Sequence, residues 1–171
     1  MLHNWKLGVG QAKDIQKQLV LSVIRSGEIV SPKHIAGVDI AAGRAGEMAR
    51  AAVVVLSYPG MKVVELEVAQ GRLELPYIPG LLSFRESPLV LAACRKLKIS
   101  PDLIMVDGQG IAHPRRLGIA SHLGLLLDKA TIGCAKSRLC GSHLIPAEES
   151  GNYTELVDNG EVIGAALRTK N

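Results

Sequence analysis

The sequence predicts a mixed α/β domain, in which an antiparallel meander of three strands comes first and parallel strands follow across helices. Three observations carry that prediction. Between residues 34 and 69 three β-rich runs are joined by short turns, and beyond residue 82 two apolar runs are each reached across a segment of helical periodicity. A strand reached across a helix is normally parallel to one already in the sheet. Finally, 171 residues at 47% hydrophobic and 21% charged content suffice for one buried core and crowd two, so one domain spanning 1–171 is expected.

The elements follow in order. From Val9 to Ile24, the residues Ile15, Leu19, Val20, Val23 and Ile24 recur at helical spacing among Lys13, Asp14, Lys17 and Gln18, the mark of an amphipathic helix. After Ser31-Pro32, His34 to Ala41 reads as a short apolar strand and Gly43 to Glu47 as a flexible turn. Ala49 to Tyr58 and Lys62 to Ala69 are the next two strands, with Tyr58-Pro59-Gly60-Met61 turning between them. Leu75-Pro76-Tyr77-Ile78-Pro79-Gly80 is a loop stiffened by two prolines. Ser83 to Leu97 reads as a helix: Ser83 and Glu86 stand at capping-box spacing, and Leu89, Val90, Ala93 and Leu97 form its apolar stripe. Pro101 to Asp107 has the near-continuous apolar character of a buried central strand. Gly108 to Arg116 is a loop, Leu117 to Asp128 a helix, Ala130 to Ala135 a short buried strand, and Glu161 to Leu167 one more strand.

The same composition excludes low-hydropathy disorder and fibrous repeats. Three cysteines without a CxxC pair argue for a reducing compartment, against a disulfide scaffold and against structural zinc. The N-terminus lacks the apolar stretch of a signal peptide, and no run approaches the twenty or so apolar residues of a membrane span, so a soluble cytoplasmic protein is expected. The net charge of +4 is regional: residues 109–145 hold Arg115, Arg116, Lys129, Lys136 and Arg138 against Asp128 alone, while the remainder balances. Such a surplus suits an anionic partner such as nucleic acid, or a solvated charged face.

Two strands look alike where chemistry could sit. Ile35-Ala36-Gly37-Val38-Asp39 and Leu103-Ile104-Met105-Val106-Asp107 each run through apolar residues into an aspartate. If they are adjacent and parallel, both carboxylates meet at one sheet edge, where open α/β sheets place their ligands. Two such anions stay charged together when a cation lies between them, and hard oxygen donors with water point to Mg2+ or Mn2+. Taken singly, each aspartate could instead cap the turn that follows it. Glu86 is the natural third carboxylate, with the capping-box role as its alternative, whereas Asp102 begins its strand and so belongs at the opposite edge.

Pro76-Tyr77-Ile78-Pro79 presents a rare aromatic on a restricted loop. A rigid Tyr-Ile tip could enter a duplex as a wedge, or Tyr77 could pack over the core. Gly108-Gln109-Gly110 permits close backbone approach to a ligand, and a helix starting between Pro114 and Leu117 would offer its N-terminal amides to an anion. Lys136 is a candidate phosphate contact or a solvated surface lysine. His113 shares the polar loop with Asp107 and could meet phosphate or a metal-bound water; His3, His34, His122 and His143 have no such context. Cys134 reads as a small core residue.

Together these motifs resemble one family, endonuclease V, the deoxyinosine 3′-endonucleases. The resemblance rests on Ala36-Gly37-Val38-Asp39, on the run Leu75 to Glu86, on Val106-Asp107-Gly108-Gln109-Gly110, on His113 to His122 and on Thr131-Ile132-Gly133-Cys134-Ala135-Lys136. It implies a ribonuclease-H-like sheet in which Asp39, Glu86 and Asp107 hold Mg2+, with Mn2+ as a substitute, and in which Lys136 joins them in catalysis. It implies further that Tyr77, Ile78 and Pro79 wedge open DNA containing deaminated bases. The lesion base, typically hypoxanthine, would enter a pocket at Gly80, Gly108 and Gly110, while His113, Arg115, Arg116 and Lys136 hold the backbone.

The implied reaction is hydrolysis of the second phosphodiester bond 3′ to the lesion by a monomeric DNA-repair enzyme. Cleavage at inosine in RNA and catalytically impaired inosine binding are the alternatives. Two departures stand out. Gln109 occupies a position where His or Asn is frequent in the family. The family also continues past the position of Leu167 into a segment with a Gly-His-type motif and a C-terminal helix. None of the five histidines matches that motif, so the domain is expected to be incomplete at its C-terminus, with one metal-site contributor and one covering helix missing.

Overall fold

A computed structural model of the chain describes residues 2–41, 43 and 46–170. Three runs rich in Val, Ile and Ala pair as an antiparallel meander: β1 (His34–Ala41), β2 (Met48–Ser57) and β3 (Val63–Arg72). Within the turn expected at Gly43 to Glu47, positions 44 and 45 lie outside the described residues. The helix α2 (Leu82–Cys94) leads to β4 (Leu103–Val106), and α3 (Ile119–Leu127) leads to β5 (Ala130–Gly133). β4 pairs parallel with β1, and β5 parallel with β4, which gives the order β3-β2-β1-β4-β5. The mixed sheet expected from the sequence is the one observed.

Alternation along the strands decides which face is buried. Ala36 and Val38 of β1, Ala51, Val53 and Val55 of β2, and Ile104 and Val106 of β4 pack under Val90, Leu91 and Ala93 of α2 and Ile119, Ala120 and Leu123 of α3. The opposite face carries one apolar row in register across all five strands, Leu66, Val54, Gly37, Met105 and Ile132. Leu66, Met105 and Ile132 in that row are exposed. β4 is therefore buried on one face only, and β5 holds no fully buried residue, where the sequence had suggested buried strands. Because β5 is an edge strand and its outer face is bare, Cys134 just beyond it is exposed rather than a core residue. All three thiols are free, and no helix of the described residues is long and apolar enough to cross a membrane.

Other departures have local causes. The first helix, α1 (Val9–Leu19), ends five residues earlier than its periodicity suggests, tightening into a 3₁₀ turn at Val20–Ser22 before the chain extends. α1 rests on the start of α2, where Ala12 packs with Leu81 and Phe84. That footprint is too short to cover Leu21 and Ile24, which are exposed. At α2 the capping box does not form. Leu81 is the N-cap, without a side-chain cap, and Ser83 lies inside the helix with its hydroxyl 3.1 Å from Nδ1 of the fully buried His122.

Glu161 to Leu167 is a strand, β7, but its partner β6 (Tyr153–Asp158) had no clear signal because half of it is polar. The two form a separate antiparallel hairpin. Asp102 accepts the backbone N–H groups of Lys33 and His34 at 2.8 and 2.9 Å. It thereby pins the beginnings of β1 and β4 together, at the sheet edge opposite Asp107.

Candidate active site

The parallel register of β1 and β4 sets Val38 opposite Val106. Asp39, still paired with Ala52 within β1, and Asp107, just past the end of β4, follow these two residues, so both lie at the carboxyl end of the β1–β4 pairing, and the Asp107 N–H donates to the Val38 carbonyl at 3.3 Å. Glu86 points from the start of α2 toward the same place. All three carboxylates line a cavity of about 330 Å³, together with Tyr77, Gly80, Gly108, His113 and Lys136. Volumes of this order are usual for ligand pockets.

Electrostatics separates the three acids. Burial pushes the Glu86 carboxyl up to about 7; the Arg85 guanidinium, 3.7 Å away, opposes this, and the charges of Asp39 and Asp107 reinforce it. Arg85 is itself held by donating to the Gly43 carbonyl. Lys136 has 83% of its side chain exposed and extends its ammonium to 2.6 Å from Asp107 Oδ2, a contact that raises its own pKa.

A cation suits this donor set. The oxygens are hard, and a divalent ion would offset both the burial that chiefly keeps Glu86 protonated and the added repulsion from Asp39 and Asp107. Among the described residues no three His, Cys, Asp or Glu side chains close into a ready-made coordination cluster. Asp39, Asp107 and Glu86 would thus supply one or two oxygens at a time and water the rest, which is how Mg2+ is commonly bound.

The pocket wall beside the acids is built from backbone. Gly80 has φ +78°, a left-handed conformation that other residues adopt with strain. At Gly133 an added Cβ would stand 2.4 Å from the Gly110 nitrogen and 2.5 Å from the Gly108 carbonyl oxygen, so only glycine allows the end of β5 to touch the Gly108–Gly110 loop. Gly80 and Gly108 line the cavity, whereas Gly110 packs behind it against Ser121 and Gly133. Tyr77 is 64% exposed and does not pack over the core, while Ile78 tucks against Leu81 and Phe84.

The basic residues of the loop have inward partners. His113 is only 3% exposed. Its Nδ1 accepts from the Arg115 N–H at 3.1 Å, which leaves the proton on Nε2 to be donated to the Gly80 carbonyl at 3.0 Å. Burial pushes its pKa down to about 4, against the influence of that carbonyl. Arg115 donates to the same carbonyl at 2.7 Å. Arg116 pairs with Asp158 at 2.9 Å and Glu161 at 2.7 Å, tying the β6–β7 hairpin to the loop. The helix N-terminus expected at Pro114–Leu117 forms instead at Ile119, and the N–H groups of Gly118 and Ala120 donate to the Gly110 and Gln109 carbonyls rather than facing outward. Lys136 and Arg138 remain as exposed cations on the cavity lining.

A sequence model of endonuclease V matches residues 14–171. The chain belongs to the endonuclease V family. It is 52% identical over 169 residues to endonuclease V of Dehalococcoides mccartyi, a match covering 99% of this chain and 76% of that protein. The crystal structure of endonuclease V from Bacillus subtilis superposes with a TM-score of 0.91 at 34% identity, over 98% of this chain and 74% of that one. Endonuclease V of Ciona intestinalis, solved with a 24mer DNA containing an inosine followed by a ribo-adenosine, gives a TM-score of 0.77 at 30% identity, over 93% and 76% of the two chains. Membership identifies a nuclease, and the segments that carried the resemblance in sequence are those that line the cavity.

Reading the sequence missed three buried members of this endonuclease V domain. Ser83 read as a capping residue, and nothing in the sequence marked His122 or Gln16 for burial. His122 is squeezed between Trp5, Phe84 and His3, whose Nε2 lies 2.8 Å from its own. Burial, aided by His3, lowers its pKa to about 3. Nothing in local periodicity marks such residues, because their partners lie far along the chain.

Proposed function

We propose that this endonuclease V nicks DNA containing deaminated bases, chiefly deoxyinosine, hydrolysing the second phosphodiester bond 3′ to the lesion with Mg2+. The observation that carries the proposal is the in-register placement of Asp39 and Asp107 on adjacent parallel strands, with Glu86 on the same cavity. Bound by these residues, Mg2+ supplies charge neutralisation at the phosphate and acidifies a water. Lys136, exposed and shared with Asp107, sets a positive charge at the mouth where the phosphodiester backbone would pass. Tyr77, at the exposed tip of its proline-stiffened loop, separates the strands, and the glycine-walled pocket takes the extruded base through backbone groups. Extrusion costs a few kcal/mol and costs least for a poorly paired base, which itself contributes selectivity. His113 and Arg115 act on this path by fixing Gly80 rather than by gripping phosphate.

The test is nicking of a duplex with a single deoxyinosine, in Mg2+ and in EDTA. Cleavage is expected only with the metal and is expected to vanish in Asp39→Ala and Asp107→Ala. Undiminished nicking by both variants would overturn the proposal. Selective binding without nicking at any Mg2+ or Mn2+ level would instead mark an inosine-binding module. The ribonucleotide in the DNA bound by the Ciona relative favours a second reading, cleavage at inosine in RNA, which matched DNA and RNA substrates distinguish through the 2′-hydroxyl.

A further inference from the structure

Gln16 is a polar residue on α1 that neither the sequence motifs nor the carboxylate chemistry call for. It is 0% exposed. A buried amide is costly unless each of its groups is partnered, and here every one is. One Nε2 hydrogen goes to the Gly80 carbonyl at 3.0 Å and the other to the Leu117 carbonyl at 3.0 Å, while Oε1 accepts from Arg115 Nε at 2.6 Å. These partners lie on two different loops. Gly80 ends the Pro76–Gly80 segment that carries Tyr77, and Leu117 closes the Gly108–Gly118 segment that forms the facing wall. Both loops line the cavity, as does Gln16 itself. The Gly80 carbonyl thus receives three donors, from Gln16, His113 and Arg115, more than its two lone pairs demand.

We infer that Gln16 is a specificity-determining positioning residue. It spans the two walls of the pocket with one rigid amide and sets the gap between them, and with it the discrimination between a deaminated purine and an undamaged base. A gap fixed by two hydrogen bonds from a single nitrogen cannot widen without breaking one of them. His113 and Arg115 hold Gly80 from the loop side alone, whereas Gln16 joins that clamp to an independent element, α1. The inference rests on the proposed reading of the pocket as the lesion-base site.

The experiment is equilibrium binding by fluorescence anisotropy to two labelled duplexes that differ only in deoxyinosine or deoxyguanosine at one position. It compares wild type with Gln16→Met, which keeps the length and removes all polar groups, and Gln16→Glu, which keeps the acceptor for Arg115 and loses both donors. The readout is the dissociation constant for the deoxyguanosine duplex divided by that for the deoxyinosine duplex within each protein, a quantity that the fraction of folded protein does not alter. Losing two hydrogen bonds to the wall is expected to lower this ratio about tenfold in both variants, through weaker inosine binding with undamaged-duplex binding unchanged. A ratio equal to that of wild type in either variant overturns the inference while leaving the lesion-pocket reading intact. A wild-type protein without preference for inosine overturns that reading, and the inference with it. Variants with no folded protein would show that the amide serves the fold rather than the pocket, and would also overturn the inference.

Discussion

Replacing Glu86 by glutamine should make the metal-free protein more stable. Its carboxyl is raised from 4.5 to about 7, chiefly by burial, so between those values the folded chain holds a proton that the unfolded chain has released. Stability therefore falls as pH rises from 4.5 to 7 and stays low above it. At 1.36 kcal/mol per unit, the deficit at pH 8 is about 3 kcal/mol, which for a chain of this length corresponds to about 6 to 12 °C in Tm. Glu86→Gln is neutral at every pH and escapes the deficit.

Urea denaturation in EDTA at pH 4 and pH 8 measures the effect as a shift of midpoint at constant slope. The variant should match wild type at pH 4 and exceed it at pH 8. Millimolar Mg2+ should then narrow the gap, because the cation binds the protein that keeps all three carboxylates more tightly than the variant that keeps two. A variant less stable than wild type at pH 8, or a difference that does not change with pH, would refute the reasoning.

Other outcomes follow from the same geometry. His122, lowered to about 3 from an ordinary 6.5, is protonated in the unfolded chain well before the folded one. Between pH 6.5 and 4.5 wild type should accordingly lose about 2 kcal/mol relative to His122→Gln, and parallel acid profiles in chemical denaturation would contradict this. Leu123, fully buried between α3 and the sheet, should cost about 2–5 kcal/mol when cut to alanine, read as a lower denaturation midpoint. Gly133→Ala must push the end of β5 away from the Gly108–Gly110 loop and should destabilise by about 1–3 kcal/mol. Gly10→Ala meets nothing within 4 Å on α1 and should stabilise by up to about 1 kcal/mol. The paired thermal melts of these two glycine variants should move in opposite directions.

What the sequence by itself determined is the part written in nearest neighbours. β-rich runs joined by short turns specified the meander, helical runs between apolar strands specified the parallel crossovers, and the two Val-Asp endings specified that Asp39 and Asp107 share a sheet edge. Once β1 and β4 pair in parallel, no other outcome is open to them. The long loop motifs likewise named the family, because their residue order is itself distinctive.

Tertiary closure decided the rest. It turned Ser83 from a cap into the partner of His122, and it sent His113 and Arg115 inward to Gly80 and Arg116 to the β6–β7 hairpin, leaving Lys136 and Arg138 at the mouth. It also left Met105 and Ile132 exposed on strands that read as buried, and it buried Gln16, which no motif had marked. Each of these outcomes depends on a group tens of residues away. Periodicity reports which side of an element is apolar, but a buried polar side chain is stabilised only by the partner that folding brings to it, and that partner is invisible until the chain has closed.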